Sequence, residues 1–386
     1  MERILRAIMQ EFQKRQNDTR VVGCCIAVQR CSSSSSVVGR ARMTMVKVVT
    51  VMIVMSGMTL VSCTKMRRPT EFVLGTGTIA QPVTLQAVTA SEETMTESEA
   101  KALLIESREW TQLMLHDAEV PTRGVCVLLP GIVGKSSALL TRYALRKDGW
   151  HVIEVAPPLI ARVKEVLAQN EHLDARAQGR AVGTAVDVLI SAATQVTIAQ
   201  LVCLSVIAPE VRTAPLFIVG ESLGAIMGVG LAATGAVAHD ALVLVAGGGS
   251  LLDVASTSAI RGLVLSEQMF EDPEFRAGFV EYCRLDPLRA APALAGCPVV
   301  VISAERDLIV PSATQEALWI ALGKPPRFVY EGGHLALFVD AFGSIVPVLR
   351  ETAELIAKNH QASQKWYAQI ERSRREILDA PMVESE

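Results

Sequence analysis

The sequence predicts an α/β protein in which a mostly parallel β-sheet is flanked by helices. Short, unbroken apolar runs end at Gly or Pro, and stretches with helical spacing lie between them. Continuous runs rich in Val and Ile are typical of strands covered on both faces. Strands that alternate with helices are typical of a parallel sheet with right-handed crossovers. With 50% apolar and 20% charged residues, the chain can bury a sizeable core.

The order of these elements follows from the apolar pattern. Strands are predicted at 83–89, 110–116, 125–131, 150–158, 216–222, 241–249, 298–304 and 327–330. Helices are predicted at 98–107, 136–146, 180–207, 223–234 and 344–358.

Charge and cysteine content exclude several function classes. The formal net charge is −3, and no long basic run crosses the body of the chain, so nucleic acid is not an expected partner. The eight cysteines follow no disulfide or zinc spacing, and isolated ones are expected to be buried thiols. The sequence therefore predicts no metal and no cofactor.

The N-terminal region has the pattern of an export signal. Residues 48–61 carry no charge, and Arg40, Arg42 and Lys47 precede them. A helix of this length would reach about 21 Å, which is short of the ~30 Å hydrocarbon core of a bilayer. An export signal is therefore favoured over a plain transmembrane helix.

The end of this stretch, Leu60-Val61-Ser62-Cys63, resembles the lipobox of bacterial lipoproteins. The resemblance implies that Cys63 is acylated, that residues 1–62 are removed, and that the protein is exported and membrane-anchored. The alternative is a signal anchor in which Cys63 is incidental, and without a working signal the protein would be cytoplasmic. Residues 63–80 are rich in Thr, Pro and Gly and are predicted to form a polar tether.

The length of the segment before the apolar run departs from the usual signal pattern. More than forty residues precede the run. Initiation at Met43 or Met45 would leave an ordinary short basic region, so we expect one of these to be the true start.

A nucleophile motif stands where a strand gives way to a helix. Gly220-Glu221-Ser222-Leu223-Gly224 fits Gly-x-Ser-x-Gly, which on a sharp strand-to-helix turn presents a strained serine. Glycine two residues to either side removes a side-chain clash in this turn. Ser222 is the predicted nucleophile.

Two later loops supply the predicted partners of Ser222. Among the six histidines, only His334 follows a strand through a glycine-rich turn. Asp307 follows the strand at 298–304 and is best placed to orient the imidazole, with Glu305 as the competing acid. The sequence leaves the choice between these two acids open.

The region from about 83 to 358 resembles the α/β-hydrolase superfamily, particularly its esterase and monoacylglycerol-lipase-like branches. The resemblance rests on Gly-Glu-Ser-Leu-Gly, on residues 286–311 and on Glu-Gly-Gly-His at 331–334. It implies an α/β-hydrolase domain over 81–358 with a small helical cap at about 250–296. The charged stretch 359–386 is left as a C-terminal tail.

The same resemblance assigns further roles. The backbone N–H groups of Ile132 and Leu223 would form the oxyanion hole, although Pro130 stands where relatives often have histidine. In the cap, Leu263, Leu265, Met269 and Phe270 are expected to line an acyl pocket, while ordinary helices packed on the sheet edge are the alternative.

The function expected from these motifs is acyl transfer from a carboxylic ester to water through Ser222, His334 and Asp307. The substrate would be a small-molecule ester, either short-chain or lipid-like, with an amide or a thioester as alternatives, and the chemistry needs no metal or organic cofactor. The alternative is a catalytically silent binding or scaffold protein on the same fold.

Overall fold

The structure is a computed structural model that describes residues 65–79, 81–83, 110–116, 119–132, 138–259, 261 and 267–359. The predicted signal segment, Cys63, the proposed start codons and the tail beyond residue 359 lie outside the described residues. All structural statements below concern the described part of the chain.

The described residues form one sheet of eight strands in the order β1-β8-β7-β6-β5-β3-β4-β2. Neighbours from β8 through β4 run parallel, whereas β1 and β2 are antiparallel strands at the two edges. The strands are β1 (Met66–Arg67), β2 (Thr111–Met114), β3 (Gly124–Leu129), β4 (Trp150–Val155), β5 (Leu216–Glu221), β6 (Ala241–Val245), β7 (Val299–Ala304) and β8 (Arg327–Tyr330). The predicted mostly parallel sheet is confirmed.

Helices connect the strands and cover both faces of the sheet. They are α1 (Leu139–Lys147), α2 (Leu159–Gln169), α3 (Ala175–Ile207), α4 (Leu223–Ala233), α5 (Leu251–Thr257), α6 (Glu267–Glu271), α7 (Pro273–Tyr282), α8 (Pro287–Ala290), α9 (Ser312–Ala321), α10 (His334–Val339) and α11 (Ala341–Asn359). Two 3₁₀ helices span Pro209–Thr213 and Ala291–Leu294.

The central strands are buried at every position because helices lie on both sides of them. Alternate side chains of a strand point to opposite faces, so each strand contributes to two cores. In β3, Val125 and Val127 join the core beneath α3 and α4, whereas Cys126 and Leu128 join the core beneath α11. This layering explains why the strands read as unbroken apolar runs.

The segment before the sheet proper is packed, in contrast to the predicted tether. Met66 and Arg67 pair with β8, and the amide of Gly77 donates a hydrogen bond to the carbonyl of Gly296 at 2.9 Å. Phe72 meets Phe328 edge-on with ring centroids 5.1 Å apart. Phe72 and Leu74 pack against the core and hold this stretch to the domain. The many Thr, Pro and Gly residues around them made the stretch resemble a tether in the sequence.

The helix α3 is long and apolar enough, over Ala175–Ser205, to cross a membrane by length and composition alone. More than half of its most apolar stretch is buried inside the protein, against the core and α7. A long core helix passes the same test, so its length does not indicate a membrane span.

The helical segment predicted to form a cap follows β6. Its helix α7 packs closely along α3, where glycines replace side chains at the contact. A Cβ at Gly179 would lie 2.0 Å from the carbonyl oxygen of Phe275, and one at Gly278 would lie 2.1 Å from that of Arg176. The Asp187 carboxylate of α3 accepts the backbone N–H groups of Arg284 and Leu285, each at 2.9 Å, and so fixes the end of this segment.

Candidate active site

Ser222 lies at the turn between β5 and α4 in a strained backbone conformation. Its φ is 57° and its ψ is −118°, a combination that L-residues rarely adopt. Its amide donates to the carbonyl of Val245 at 2.8 Å, which ties the turn to the neighbouring strand β6. Strain of this kind costs about 1–3 kcal/mol and is concentrated at functional sites.

The two glycines of the motif are required by close backbone approach. A Cβ at Gly220 would lie 2.5 Å from the Cα of Ala225, and one at Gly224 would lie 1.9 Å from the carbonyl oxygen of Leu129. The first distance shows how tightly α4 folds back on β5. The second shows that the start of α4 touches the end of β3.

His334 and Asp307 are directly hydrogen-bonded. The distance from His334 Nδ1 to Asp307 Oδ2 is 2.6 Å, and the Asp307 side chain is fully buried. Backbone contacts hold the two loops together, since the amide of Arg306 donates to the carbonyl of Gly332 at 3.2 Å. A Cβ at Gly333 would lie 3.2 Å from the carbonyl oxygen of Arg306, so the glycine turn permits this approach.

The Asp307 carboxylate is held by its own loop. Oδ1 accepts the backbone N–H groups of Ile309 and Val310, both at 2.8 Å. Gln315 of α9 is buried, and its amide donates to Asp307 Oδ2 at 3.3 Å and to the carbonyl of Val310 at 2.7 Å. Charge-assisted hydrogen bonds of this kind stabilise an ionised carboxylate.

Glu305, the competing acid, points elsewhere. Its carboxylate forms an ion pair with Arg67 of β1 at 2.6 Å, and about half of its side chain is exposed. Among the described residues, the acid that contacts His334 is therefore Asp307.

The two residues predicted to supply the oxyanion amides, Ile132 and Leu223, line the same cavity as Ser222. Leu223 is the first residue of α4, and the N–H groups at the start of a helix have no acceptor within that helix. Ile132 and Leu223 thus follow the carboxyl ends of β3 and β5, on the same cavity as Ser222.

Ser222 and His334 share one edge of the sheet without a direct hydrogen bond. Within the described part of the chain, the Ser222 hydroxyl makes no hydrogen bond to the imidazole, whose ring packs edge-on against Phe338 at 5.1 Å between centroids. Catalytic hydrogen bonds are often long or poorly aligned before substrate binds. Ser222 lines the same cavity as Ile309 and Val310, which belong to the loop that carries Asp307.

The cavity beside Ser222 is narrow and almost wholly apolar, with a volume of about 70 Å³. The cap supplies Phe270 and Phe279, so the predicted lining role of Phe270 agrees with its position. Met269 packs against the core instead, and Leu263 and Leu265 lie outside the described residues. The remaining walls come from α2, α3, α4 and α5 through Leu159, Ile160, Val163, Val182, Ile226, Leu251, Leu252, Val254, Ala255 and Ser258.

A buried carboxyl group next to the nucleophile was not anticipated from the sequence. Glu221 is fully buried, and its pKa is raised to about 8, chiefly by this burial and also by the nearby Glu154, against a lowering contribution from the Thr141 hydroxyl. Glu154 in turn forms an ion pair with Arg142 of α1 at 2.6 Å. Glu221 faces the core on the side of the sheet opposite the cavity, as do Phe217 and Val219 at alternate positions of β5.

The strand order, the serine turn after β5 and the acid and histidine after β7 and β8 give this chain the α/β-hydrolase fold. A scan against protein-family models finds no match, and a search of curated proteins finds none. A search of solved structures does find similar chains.

Three solved structures illustrate the similarity. The acylaminoacyl peptidase of Pyrococcus horikoshii is 17% identical, with a TM-score of 0.39 over 58% of this chain and 35% of that one. Est1E from Butyrivibrio proteoclasticus is 12% identical, with a TM-score of 0.39, and the match covers 64% of this chain and 93% of Est1E. A hydrolase from Oleispira antarctica is 11% identical, with a TM-score of 0.36, and the match covers 66% of this chain and 97% of that hydrolase. The chain thus spans about a third of the peptidase, and the fold is assigned from its own strand order and turn.

Proposed function

We propose that this protein is a serine hydrolase that cleaves a carboxylic ester with an apolar acyl group. The observation that carries the proposal is the combination of a strained serine after β5 with an Asp307–His334 hydrogen bond of 2.6 Å at the same edge of the sheet. A buried carboxylate on Nδ1 holds the imidazole in the tautomer that leaves Nε2 free to accept a proton.

The reaction begins when His334 Nε2 accepts the proton of the Ser222 hydroxyl and the serine oxygen attacks the ester carbonyl. This step requires the imidazole to come within about 2.6–3.2 Å of the hydroxyl when substrate binds. The oxyanion that forms is held by the amides of Ile132 and Leu223, each worth about 3 kcal/mol in the transition state.

His334 then gives its proton to the leaving alcohol, and an acyl group remains on Ser222. A water molecule loses a proton to His334, attacks the acyl carbon and releases the carboxylic acid, while the serine oxygen regains a proton. The apolar cavity between α2, α4 and the cap supports an aliphatic acyl group over a charged one, because its lining offers few polar partners.

The experiment that tests this proposal is labelling with a fluorophosphonate probe. We expect labelling of the intact protein and none of Ser222→Ala. The matched control is Ser258→Ala, which removes another serine that lines the same cavity and should leave labelling unchanged. A folded protein that neither reacts with the probe nor hydrolyses p-nitrophenyl esters would instead favour a silent binding or scaffold protein.

We also propose that the protein is exported and attached to a membrane through acylated Cys63. The support is the lipobox-like Leu60-Val61-Ser62-Cys63 after an uncharged stretch. Mass spectrometry of the mature N-terminus tests this: a diacyl- or triacyl-cysteine at position 63 is expected, and Cys63→Ala should abolish it. An unmodified Cys63 in a chain recovered with residues 1–62 attached would overturn this part of the proposal.

A further inference from the structure

A second cluster of chemically competent side chains lies far from Ser222. His116 follows β2, His151 is the second residue of β4, and Glu210 belongs to the 3₁₀ helix Pro209–Thr213. One ligand atom from each lies within 4.8 Å of the other two. The His116 and His151 rings meet with centroids 4.4 Å apart, and His151 Nε2 is 3.8 Å from Glu210 Oε1.

His151 is the unusual member of the cluster. Only 2% of the residue is exposed, and neither ring nitrogen has a hydrogen-bond partner within the described residues. Leaving a buried polar atom unsatisfied costs about 1–3 kcal/mol, and most buried polar groups do have partners. The ring therefore faces a position where a ligand would be stabilised.

We propose that His116, His151 and Glu210 bind a zinc ion that stabilises the fold. Two imidazoles and one carboxylate are a donor set that zinc accepts. With metal–ligand distances of about 2.0–2.2 Å, donor atoms of a tetrahedral zinc site lie about 3.4 Å apart. The observed 3.8 Å between His151 Nε2 and Glu210 Oε1 is a few tenths of an ångström longer than this, and the donor atoms of all three residues lie within 4.8 Å of one another, so side-chain shifts on the order of 1 Å would close the site.

The electrostatics of the cluster suit a cation. The Glu210 carboxylate, 3.8 Å from His151 Nε2, supplies negative charge beside the two imidazoles. A neutral imidazole is the form of histidine that binds a metal. His116 Nε2 lies 2.8 Å from the hydroxyl of Thr122, a contact that orients its ring. Glu210 is about half exposed and leaves a path from solvent for the ion.

The position of the cluster argues for a structural ion and against a part in ester hydrolysis. His151 is in register with Val125 of β3, which is in register with Leu216 of β5. Ser222 follows Leu216 by six residues, or about 20 Å along the strand. The cluster therefore lies at the amino ends of the parallel strands, and the ion would join β2, β4 and the 3₁₀ helix before β5.

The experiment is a zinc titration of the full chain after removal of metal with EDTA, followed by calorimetry and thermal unfolding. We expect one zinc equivalent per chain at this site and a higher Tm in the presence of zinc, because a ligand that binds the folded state stabilises it. His116→Gln and Glu210→Gln alter partly exposed residues and should each lower the zinc affinity at least tenfold and remove the zinc-dependent rise in Tm. His151→Leu should remove the zinc equivalent altogether.

His172→Gln and Glu171→Gln are matched controls, because both alter exposed residues outside the cluster. They should bind zinc as the unaltered chain does. Cobalt offers a second readout: visible absorption from a tetrahedral or five-coordinate ion is expected in the unaltered chain and in the controls, but not in the cluster variants. The proposal is overturned if the folded chain binds no zinc, or if His116→Gln and Glu210→Gln keep the full zinc equivalent and affinity, which would place the ion elsewhere.

Discussion

Gly224 touches Leu129 so closely that a Cβ at position 224 would lie 1.9 Å from the Leu129 carbonyl oxygen. This contact sets the distance between the start of α4 and the end of β3. Those two elements carry Leu223 and Ile132, the amides proposed to hold the oxyanion. The glycine therefore governs the spacing of the two donors as well as the sharpness of the turn.

Gly224→Ala is expected to damage both stability and activity. The clash is with backbone, so α4 or the loop after β3 must shift, at a cost of about 1–3 kcal/mol in the free energy of unfolding. The same shift separates the two amides and should lower kcat by at least tenfold. Chemical denaturation and ester hydrolysis measure the two effects.

Gly228→Ala is the matched control on the same helix, because its added Cβ would be 3.8 Å from the nearest atom, which is ordinary contact. It should leave kcat unchanged and hold or raise stability by up to about 1 kcal/mol, since Ala favours helix over Gly. Equal losses in the two variants would contradict the assigned role of Gly224.

Replacing Ser222 by Gly or by Ala separates backbone strain from chemistry. Both variants lack the hydroxyl, so neither should react with a fluorophosphonate. Ala keeps the Cβ that is unfavourable at φ 57°, whereas Gly adopts this conformation freely. We expect Ser222→Gly to be about 1 kcal/mol more stable than Ser222→Ala, after allowing for the greater freedom of Gly in the unfolded chain. Urea unfolding of both variants tests this, and a more stable Ala variant would argue against strain at this turn.

Asp307→Asn and Glu305→Gln distinguish the two acids that the sequence left open. Asn keeps an oxygen for the amides of Ile309 and Val310 but loses the charge that stabilises a protonated His334. We expect kcat to fall on the order of 10³-fold or more. Glu305→Gln removes only an exposed ion pair with Arg67 and should change kcat by less than about twofold. Comparable losses of kcat in both variants would undermine the assignment of Asp307.

The buried Glu221 should make stability depend on pH. Its pKa is raised to about 8 in the folded state, while in the unfolded chain it ionises near an ordinary value of about 4.3. Between these values the folded state holds a proton that the unfolded state has lost, so this residue lowers stability as pH rises from about 5 to 8. Above the folded pKa the dependence ends.

Glu221→Gln removes this dependence because its amide does not titrate. The stability difference between the variant and the unaltered chain should shift in favour of the variant as pH rises from 5 to 8, by on the order of 2–4 kcal/mol. Denaturation at several pH values measures it. For Glu171→Gln, which alters an exposed residue, the free energy of unfolding should depend on pH as it does in the unaltered chain. Parallel curves for Glu221→Gln as well would mean that Glu221 ionises normally.

Much of the sheet could be predicted because its strands are buried on both faces and so appear as unbroken apolar runs. The predicted strand at 216–222 is observed at Leu216–Glu221, and the strand predicted at 327–330 has those bounds. The strained turn could also be predicted, because the close backbone contacts at positions 220 and 224 admit only glycine, and this leaves the Gly-x-Ser-x-Gly motif in the sequence. Local packing of this kind leaves a mark on neighbouring residues in the sequence.

Other features depend on contacts between distant residues and leave no such mark. Asp307 and Glu305 are two residues apart, and only the turn closed by the amides of Ile309 and Val310 decides which carboxylate reaches His334. The support from Gln315 depends on how α9 packs. The approach of His116 to His151 depends on the register of β2 against β4. In each case the pairing of elements, which the sequence does not state, sets the outcome.

The pairing of Met66 with Tyr330 has a consequence for how close to a bilayer an acylated form of this protein would be held. In a chain acylated at Cys63, only two residues, Thr64 and Lys65, separate the lipid-bearing cysteine from the sheet, a span of at most about 10 Å when fully extended. Such a short connection would keep the domain next to the membrane surface. Ser222 would then stay close to the lipid surface, where amphiphilic esters concentrate.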